Sequence, residues 1–201
     1  MVFRRADSGT SQRWLCGSCR DASSPTWGTA TAFGGLTHDL SQTGDFAVAV
    51  MSDGTAVAAY VAPNGPSGDL STTNRAYAGQ GSAGGWSGGV LLSDTGHVEV
   101  VGDQVQRHVT AIAVAADGAG DARVLMRTEA RSASTFATRH RLMRTTRTTT
   151  DGWTPIAPVT SITSITDADY ASPSIPRIEG DPGAAGGFVD VWSEIDDGIV
   201  R

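Results

Sequence analysis

A chain of 201 residues is long enough for one domain with a substantial core, or for several small modules that share cores with their neighbours. The net charge of -6 argues against a general affinity for nucleic acid or an anionic membrane surface, and no run approaches the roughly 18 apolar residues of a membrane-spanning helix. With 25 glycines, many Thr, Ser, Ala and Val in short apolar runs, and no long amphipathic stretch, the composition predicts an all-β chain.

The start, Met1 to Asp7, carries basic residues with no apolar region behind them, so no signal peptide can be read there. Gln12 to Cys19 and Trp27 to Phe33 read as two strands. Between Phe46 and Val61 two apolar runs flank Asp53-Gly54, a strong hairpin signal because Gly accepts the positive φ of a tight turn. More polar strands follow at Asn74 to Gln80 and Trp86 to Leu92. The pattern then repeats: Val109 to Ala115, a turn at Asp117-Gly118, Ala122 to Met126, Thr138 to Thr146 and Trp153 to Val159. A looser copy has Ile175 to Ile178, Gly180-Asp181-Pro182-Gly183 and Phe188 to Trp192, with Ile199 opening a further strand.

Trp27, Trp86 and Trp153 recur at intervals of 59 and 67 residues and mark an internal repeat. Each is followed after a similar interval by the turn Asp of a hairpin, at Asp53, Asp117 and Asp181. Labelling the strands of one repeat a to d, the chain reads c-d, a-b-c-d, a-b-c-d, a-b-c. The expected modules are 1–36, 37–96, 97–162 and 163–201, the first and last partial.

Four-stranded antiparallel modules of this length, with a Gly-rich turn before a Trp at the c–d junction, resemble propeller blades of the sialidase-like superfamily. That family's c–d turn often carries an Asp-box, Ser-x-Asp-x-Gly-x-x-Trp. The nearest approach here is Thr149-Thr150-Asp151-Gly152-Trp153, followed by Ser82-Ala83-Gly84-Gly85-Trp86 and Ser24-Pro25-Thr26-Trp27. The strand count corresponds to about three blades of a partial propeller, whereas closed propellers have about four to eight. The resemblance also favours a secreted, extracellular protein. Ile175-Pro176-Arg177-Ile178 holds the residue types of the family's Arg-Ile-Pro element in another order, so no substrate-binding Arg is assigned. All 15 basic residues are Arg, which fits a GC-rich coding bias and hence a high-GC bacterial source.

The candidate ligand-binding residues lie in the d-to-a connections, which a propeller places near its axis: His38 and Asp39, with Asp45; Asp103 and His108, with His97, Glu99 and Arg107; and Asp169 and Tyr170, with Asp167. Carboxylates converging with an aromatic ring suit sugar hydroxyls, a hard cation or an acid/base pair; solvated loop residues are the plain alternative. Asp39, Asp103 and Asp169 are expected on one common face. Cys16-Gly17-Ser18-Cys19 is half of a zinc site or a redox pair only if partners exist, and reads otherwise as packed residues or a local disulfide. Seven arginines between Arg123 and Arg147 suit an anionic partner, or simply a solvated outer strand. No metal or cofactor is expected.

The expected function is a non-catalytic binding or interaction module with a glycan or protein ligand. The alternative is a sialidase-like glycoside hydrolase with catalytic residues partly outside this chain. An open stack should also expose apolar residues such as Val48, Val50, Val189 and Val191 and self-associate through them.

Overall fold

The computed structural model describes residues 1–6, 13–20, 26–32, 45–63, 74–93 without 83 and 88, 98–100, 103–132, 138–159, 176–193 without 182, 184 and 185, 195–196 and 199–200. Among these residues every regular element is a β-strand and every pairing is antiparallel. None of them forms a helix long and apolar enough to cross a membrane.

The first sheet orders β1 (Val2–Ala6), β2 (Arg13–Gly17) and β3 (Thr31–Ala32) side by side. The second runs β4 (Phe46–Val50), β5 (Ala56–Pro63) and β6 (Asn74–Ser82), with β7 (Gly85–Trp86) and β8 (Val90–Leu91) both on β6. The third repeats that order with longer strands: β9 (Val98–Val100) pairs β10 (Asp103–Ala116), then come β11 (Ala122–Ser132) and β12 (Thr138–Thr148), with β13 (Gly152–Trp153) and β14 (Ala157–Pro158) on β12. A two-stranded sheet of β15 (Arg177–Gly180) and β16 (Phe188–Val191) follows, then a small hairpin of β17 (Ile195–Asp196) and β18 (Ile199–Val200).

The Trp repeat has a common backbone geometry. The residue after each Trp donates its N–H to the facing strand: Gly28 to the Cys19 carbonyl at 2.9 Å, Ser87 to Gln80 at 2.7 Å, Thr154 to Thr146 at 2.8 Å. The short strand that follows then pairs at matching positions, Ala32 with Cys16, Leu91 with Tyr77 and Pro158 with Met143. In two copies the side chain after Trp repeats as well, since the Ser87 and Thr154 hydroxyls accept the Gln80 and Thr146 N–H groups, each at 3.0 Å.

The sheets stack face to face in chain order. Alternate residues of β4, β5 and β6 (Ala49, Val57, Ala59, Val61, Ala76 and Ala78), with Met51 just beyond β4, pack on Val109, Ile112, Val114, Ala122, Val124 and Met126 of the third sheet. Small alanines on both faces let two sheets approach closely, and each fully buried Val or Met adds about 1.5–3 kcal/mol. The other face of the second sheet, with Phe46, Ala58, Tyr60, Ala62, Tyr77 and Trp86, takes Val2 of the first. The Tyr60 and Tyr77 rings stack there at 5.6 Å. The fourth sheet lies on the opposite face of the third, where Gly180 approaches the Ala116 carbonyl so closely that a Cβ would overlap it.

Several strand assignments differ from the sequence reading. β1 is an additional strand ahead of the expected first pair, and Trp27 itself lies outside any strand, 51 % exposed. Trp86 and Trp153 pack toward the preceding sheet, whereas Trp27 meets the Arg20 guanidinium at 5.5 Å. The Trp86 and Trp153 strands are each broken into two short pieces rather than continuous. β18 pairs β17, not the preceding long hairpin. β15 starts at Arg177, with Ile175 outside the described residues.

The hairpin turns also correct an alignment. Met51 and Asp117 each donate N–H to the carbonyl four residues on, Thr55 and Asp121, and the left-handed glycines are Gly54 (φ 81°) and Gly120 (φ 86°). Asp117 therefore matches Met51, and Asp53 matches Ala119, so Asp53 and Asp117 are not equivalent. Asp181, whose N–H reaches the Gly187 carbonyl at 2.6 Å, matches Asp117. The second turn's Asp117-Gly118-Ala119-Gly120 holds two glycines, and the second of them takes the positive φ.

Candidate functional site

Of the six residues singled out for ligand binding, His38, Asp39, Asp169 and Tyr170 lie outside the described residues, as do His97 and Asp167. Asp103 and His108 are not in a connecting loop. β10 begins at Asp103, which pairs with Val100 of β9, and extends past His108, so both belong to a long strand. Arg107 lies in the same strand and Glu99 in β9. The strand is longer than expected because β9 and the far end of β11 pair with it, and a bulge between Val109 and Ala111 absorbs the offset.

His108 is half-buried and bridges two sheets, its Nδ1 facing the Asn74 N–H at 3.3 Å. Asp45 does the same from the start of β4, its Oδ2 accepting the Ile112 N–H at 3.1 Å while its carbonyl accepts from Val61 at 2.9 Å. These two residues, expected at a ligand face, hold the second and third sheets in register.

A second cluster joins the third and fourth sheets at their turns. Asp117 is buried, and its Oδ1 accepts the N–H groups of Ala119 at 3.0 Å and Asp121 at 2.9 Å. Its Oδ2 accepts the Gly186 N–H from the next turn, and the Gly118 N–H donates to the Asp181 carbonyl at 2.9 Å. Asp53, at the surface, accepts hydrogen bonds within its own turn, from the Thr55 N–H at 2.8 Å and hydroxyl at 2.6 Å. The Thr55 hydroxyl, then its N–H, holds the Asp53 carboxyl below the usual carboxylate range.

The arginine cluster divides among different tasks. Arg123 lies over the Phe188 ring at 4.5 Å and pairs with Asp190 at 3.4 Å, a carboxylate that Arg144 also approaches at 3.9 Å. Arg147 turns to the other face and reaches Met51 Sδ at 3.9 Å. Arg127 contacts His140 Nε2 at 3.2 Å, and Glu129 stands opposite His140 in the register. Burial, reinforced by Arg127 and opposed by Glu129, pushes the His140 imidazole below its ordinary value. Arg127 Nε and His140 Nδ1 are buried without a hydrogen-bond partner among the described residues. Burial raises the Tyr60 phenol above its usual range and Tyr77 adds to the rise; Tyr77 itself is raised by burial.

Cys16 is buried in β2 and Cys19 is half-buried beyond it; neither is in a disulfide. No group of three or more His, Cys, Asp or Glu suited to a metal occurs among the described residues. The β12–β13 turn is tied by Asp151, whose Oδ2 accepts from the Thr148 hydroxyl at 3.3 Å and the Thr150 hydroxyl at 3.1 Å, with Gly152 left-handed at φ 73°. The bridging roles of Asp45, Asp117 and Asp190 were missed in the sequence; the one available signal was the recurrence of Asp directly after a hairpin's first strand, at Asp117 and Asp181. Comparison with known proteins gives no match to a family model, a curated protein or a solved structure.

Proposed function

We propose that this chain is a propeller-like stack of repeated β-modules that works as a non-catalytic binding or interaction scaffold, with a glycan or protein as ligand. The observation that carries the reading is the use of polar side chains at the sheet junctions. Asp45, His108, Asp117, Arg123 and Asp190 join one sheet to the next, and a rigid stack of this kind displays its connecting segments for binding. The alternative, a sialidase-like glycoside hydrolase, draws on the Asp151 turn, which places Asp and a left-handed Gly ahead of Trp153 much as an Asp-box does. A glycan array and a panel of fluorogenic glycosides separate the two. Ligand capture without turnover supports the scaffold; hydrolysis of any glycoside above the buffer rate overturns it in favour of the enzyme.

A further inference from the structure

The contact between one sheet and the next uses the same positions each time, and the chain leaves both halves of it open. On the second strand of each hairpin, the third and fifth residues after the left-handed glycine point toward the next sheet. They are Val57 and Ala59, both fully buried, after Gly54, then Arg123 and the fully buried Leu125 after Gly120. After Gly186 they are Val189 and Val191, 62 % and 53 % exposed. No described residue covers them.

The receiving half lies on the first strand of a hairpin. Val114 and Ala116 of β10 pack back onto the second sheet, and Gly180 of β15 packs back onto β10. Their counterparts on β4 are Val48 and Val50, 38 % and 70 % exposed. They are open because the first sheet, in its described residues, has three strands over the second sheet and none beyond β1 to lie over β4.

We propose that these two faces bind each other between two copies of this chain, head to tail, with Val189 and Val191 of one copy against Val48 and Val50 of the other. In this arrangement the β15–β16 hairpin lies beside β1, where the second and third sheets carry a further strand. A second copy is the occupant because both halves of a contact already used within the chain occur on one molecule. The chemistry agrees: the junction of the third and fourth sheets is ionic, through Arg123, Arg144 and Asp190, whereas both open faces are valine. Such a contact is heterologous, so it closes into a ring or continues as a filament, and its small area makes assembly concentration-dependent. The inference rests on the stacking of sheets and is independent of the ligand and of ring closure.

Analytical ultracentrifugation of the 201-residue chain tests it, with Val50→Asp, Val191→Asp and an equimolar mixture of the two. Wild type should associate in a concentration-dependent way, and each variant should weaken association about 10-fold or more, as expected for a charge placed in an apolar contact. The mixture should recover association, because the Val189–Val191 face of V50D still meets the Val48–Val50 face of V191D. A wild-type chain that stays monomeric at high concentration, or one whose association survives both substitutions, overturns the proposal. So does a mixture no more associated than its components, since that outcome belongs to a like-with-like interface. Both positions are exposed, and circular dichroism identifies any variant that misfolds; V50T and V191T then replace it and should show the same pattern in weaker form.

Discussion

Replacing Asp117 by Ala tests whether the buried carboxylate between the third and fourth sheets holds them together. The substitution removes the acceptor for three backbone N–H groups, two in its own turn and one, on Gly186, in the next. A hydrogen bond to a charged acceptor contributes about 1.5–3 kcal/mol, but donors near the turn surface recover part of that from water, so the expected net loss is ~2–4 kcal/mol. Asp117→Asn keeps the shape and one acceptor and should lose about half as much. Asp53→Ala is the control: its carboxylate is exposed and, among the described residues, hydrogen-bonds Thr55, two residues away, so its loss should stay below about 1 kcal/mol. Urea unfolding followed by tryptophan fluorescence gives all three values from the transition midpoints at constant slope. Hydrogen exchange adds a local readout, since the Gly186 amide should lose protection in D117A and keep it in D53A. Equal midpoints for D117A and D53A would refute the reasoning, because the bridge would then contribute no more than a local turn.

Three further outcomes follow from the same contacts. His140 titrates lower in the folded chain than in the unfolded one, so the unfolded state binds more protons as pH falls; stability should drop as pH is lowered through the ordinary imidazole range near 6.5, and H140Q should flatten that dependence in urea midpoints measured between pH 5 and 8. Asp190→Ala leaves Arg123 facing a junction without its counter-charge and should cost about 2–3 kcal/mol, whereas Arg144→Ala, removing a half-exposed and more distant partner, should cost under about 0.5 kcal/mol by the same thermal or urea measurement. Trp86 lies against Gly17 of the first sheet and Gly81 of its own, where a Cβ would overlap the indole; Gly81→Ala should destabilise by about 1–3 kcal/mol and shift the tryptophan emission, while Gly84→Ala, whose Cβ would meet the Ser82 Oγ at an ordinary contact distance of 3.7 Å, should change neither.

The strands that the sequence reveals best are those with a short-range cause. Ala56 to Val61 and Ala122 to Met126 are apolar runs bounded by glycine turns, and both fall inside observed strands. The Trp positions were legible for the same reason, since Trp followed by a small hydroxyl residue or Gly closes a local backbone bond in each copy. β1 was not legible: Val2-Phe3-Arg4-Arg5-Ala6 has two adjacent arginines and no turn signal, and it becomes a strand by pairing with β2. The third sheet's long strands were underestimated because β10 alternates through the polar Asp103 to His108, a stretch that reads as a loop until β9 and β11 pair with it. An Asp-Gly pair locates a turn but not its register, which depends on which of two glycines turns left-handed. For the candidate site, an exposed-loop residue and a sheet-bridging one look alike in sequence. Asp45 and His108 differ from solvated residues only in having a backbone N–H of another segment within reach.

A stack of similar sheets faces a problem of order, because faces that are geometrically equivalent can pack on the wrong neighbour. This chain answers it with chemistry. The core of the face between the second and third sheets is aliphatic and methionine side chains on both sides, with no ion pair like that of Arg123 and Asp190 among its described residues. The equivalent face between the third and fourth substitutes Arg123 for the position of Val57 and meets it with Asp190 and Phe188. Placing the fourth sheet on the second would bury Asp190 against apolar residues with no counter-charge, and an apolar sheet in the fourth sheet's place on the third would leave Arg123 unpaired. Either error leaves an uncompensated buried charge, which costs about 3–5 kcal/mol, a large share of the stability of a domain this size. The arginines of β11 and β12 therefore do more than solvate an outer strand: one of them sets which sheet follows which. The same logic explains why equivalent strand positions hold unlike residues although their backbone hydrogen bonds repeat. The backbone carries the repeat, and the side chains at the junctions give each copy its place in the stack.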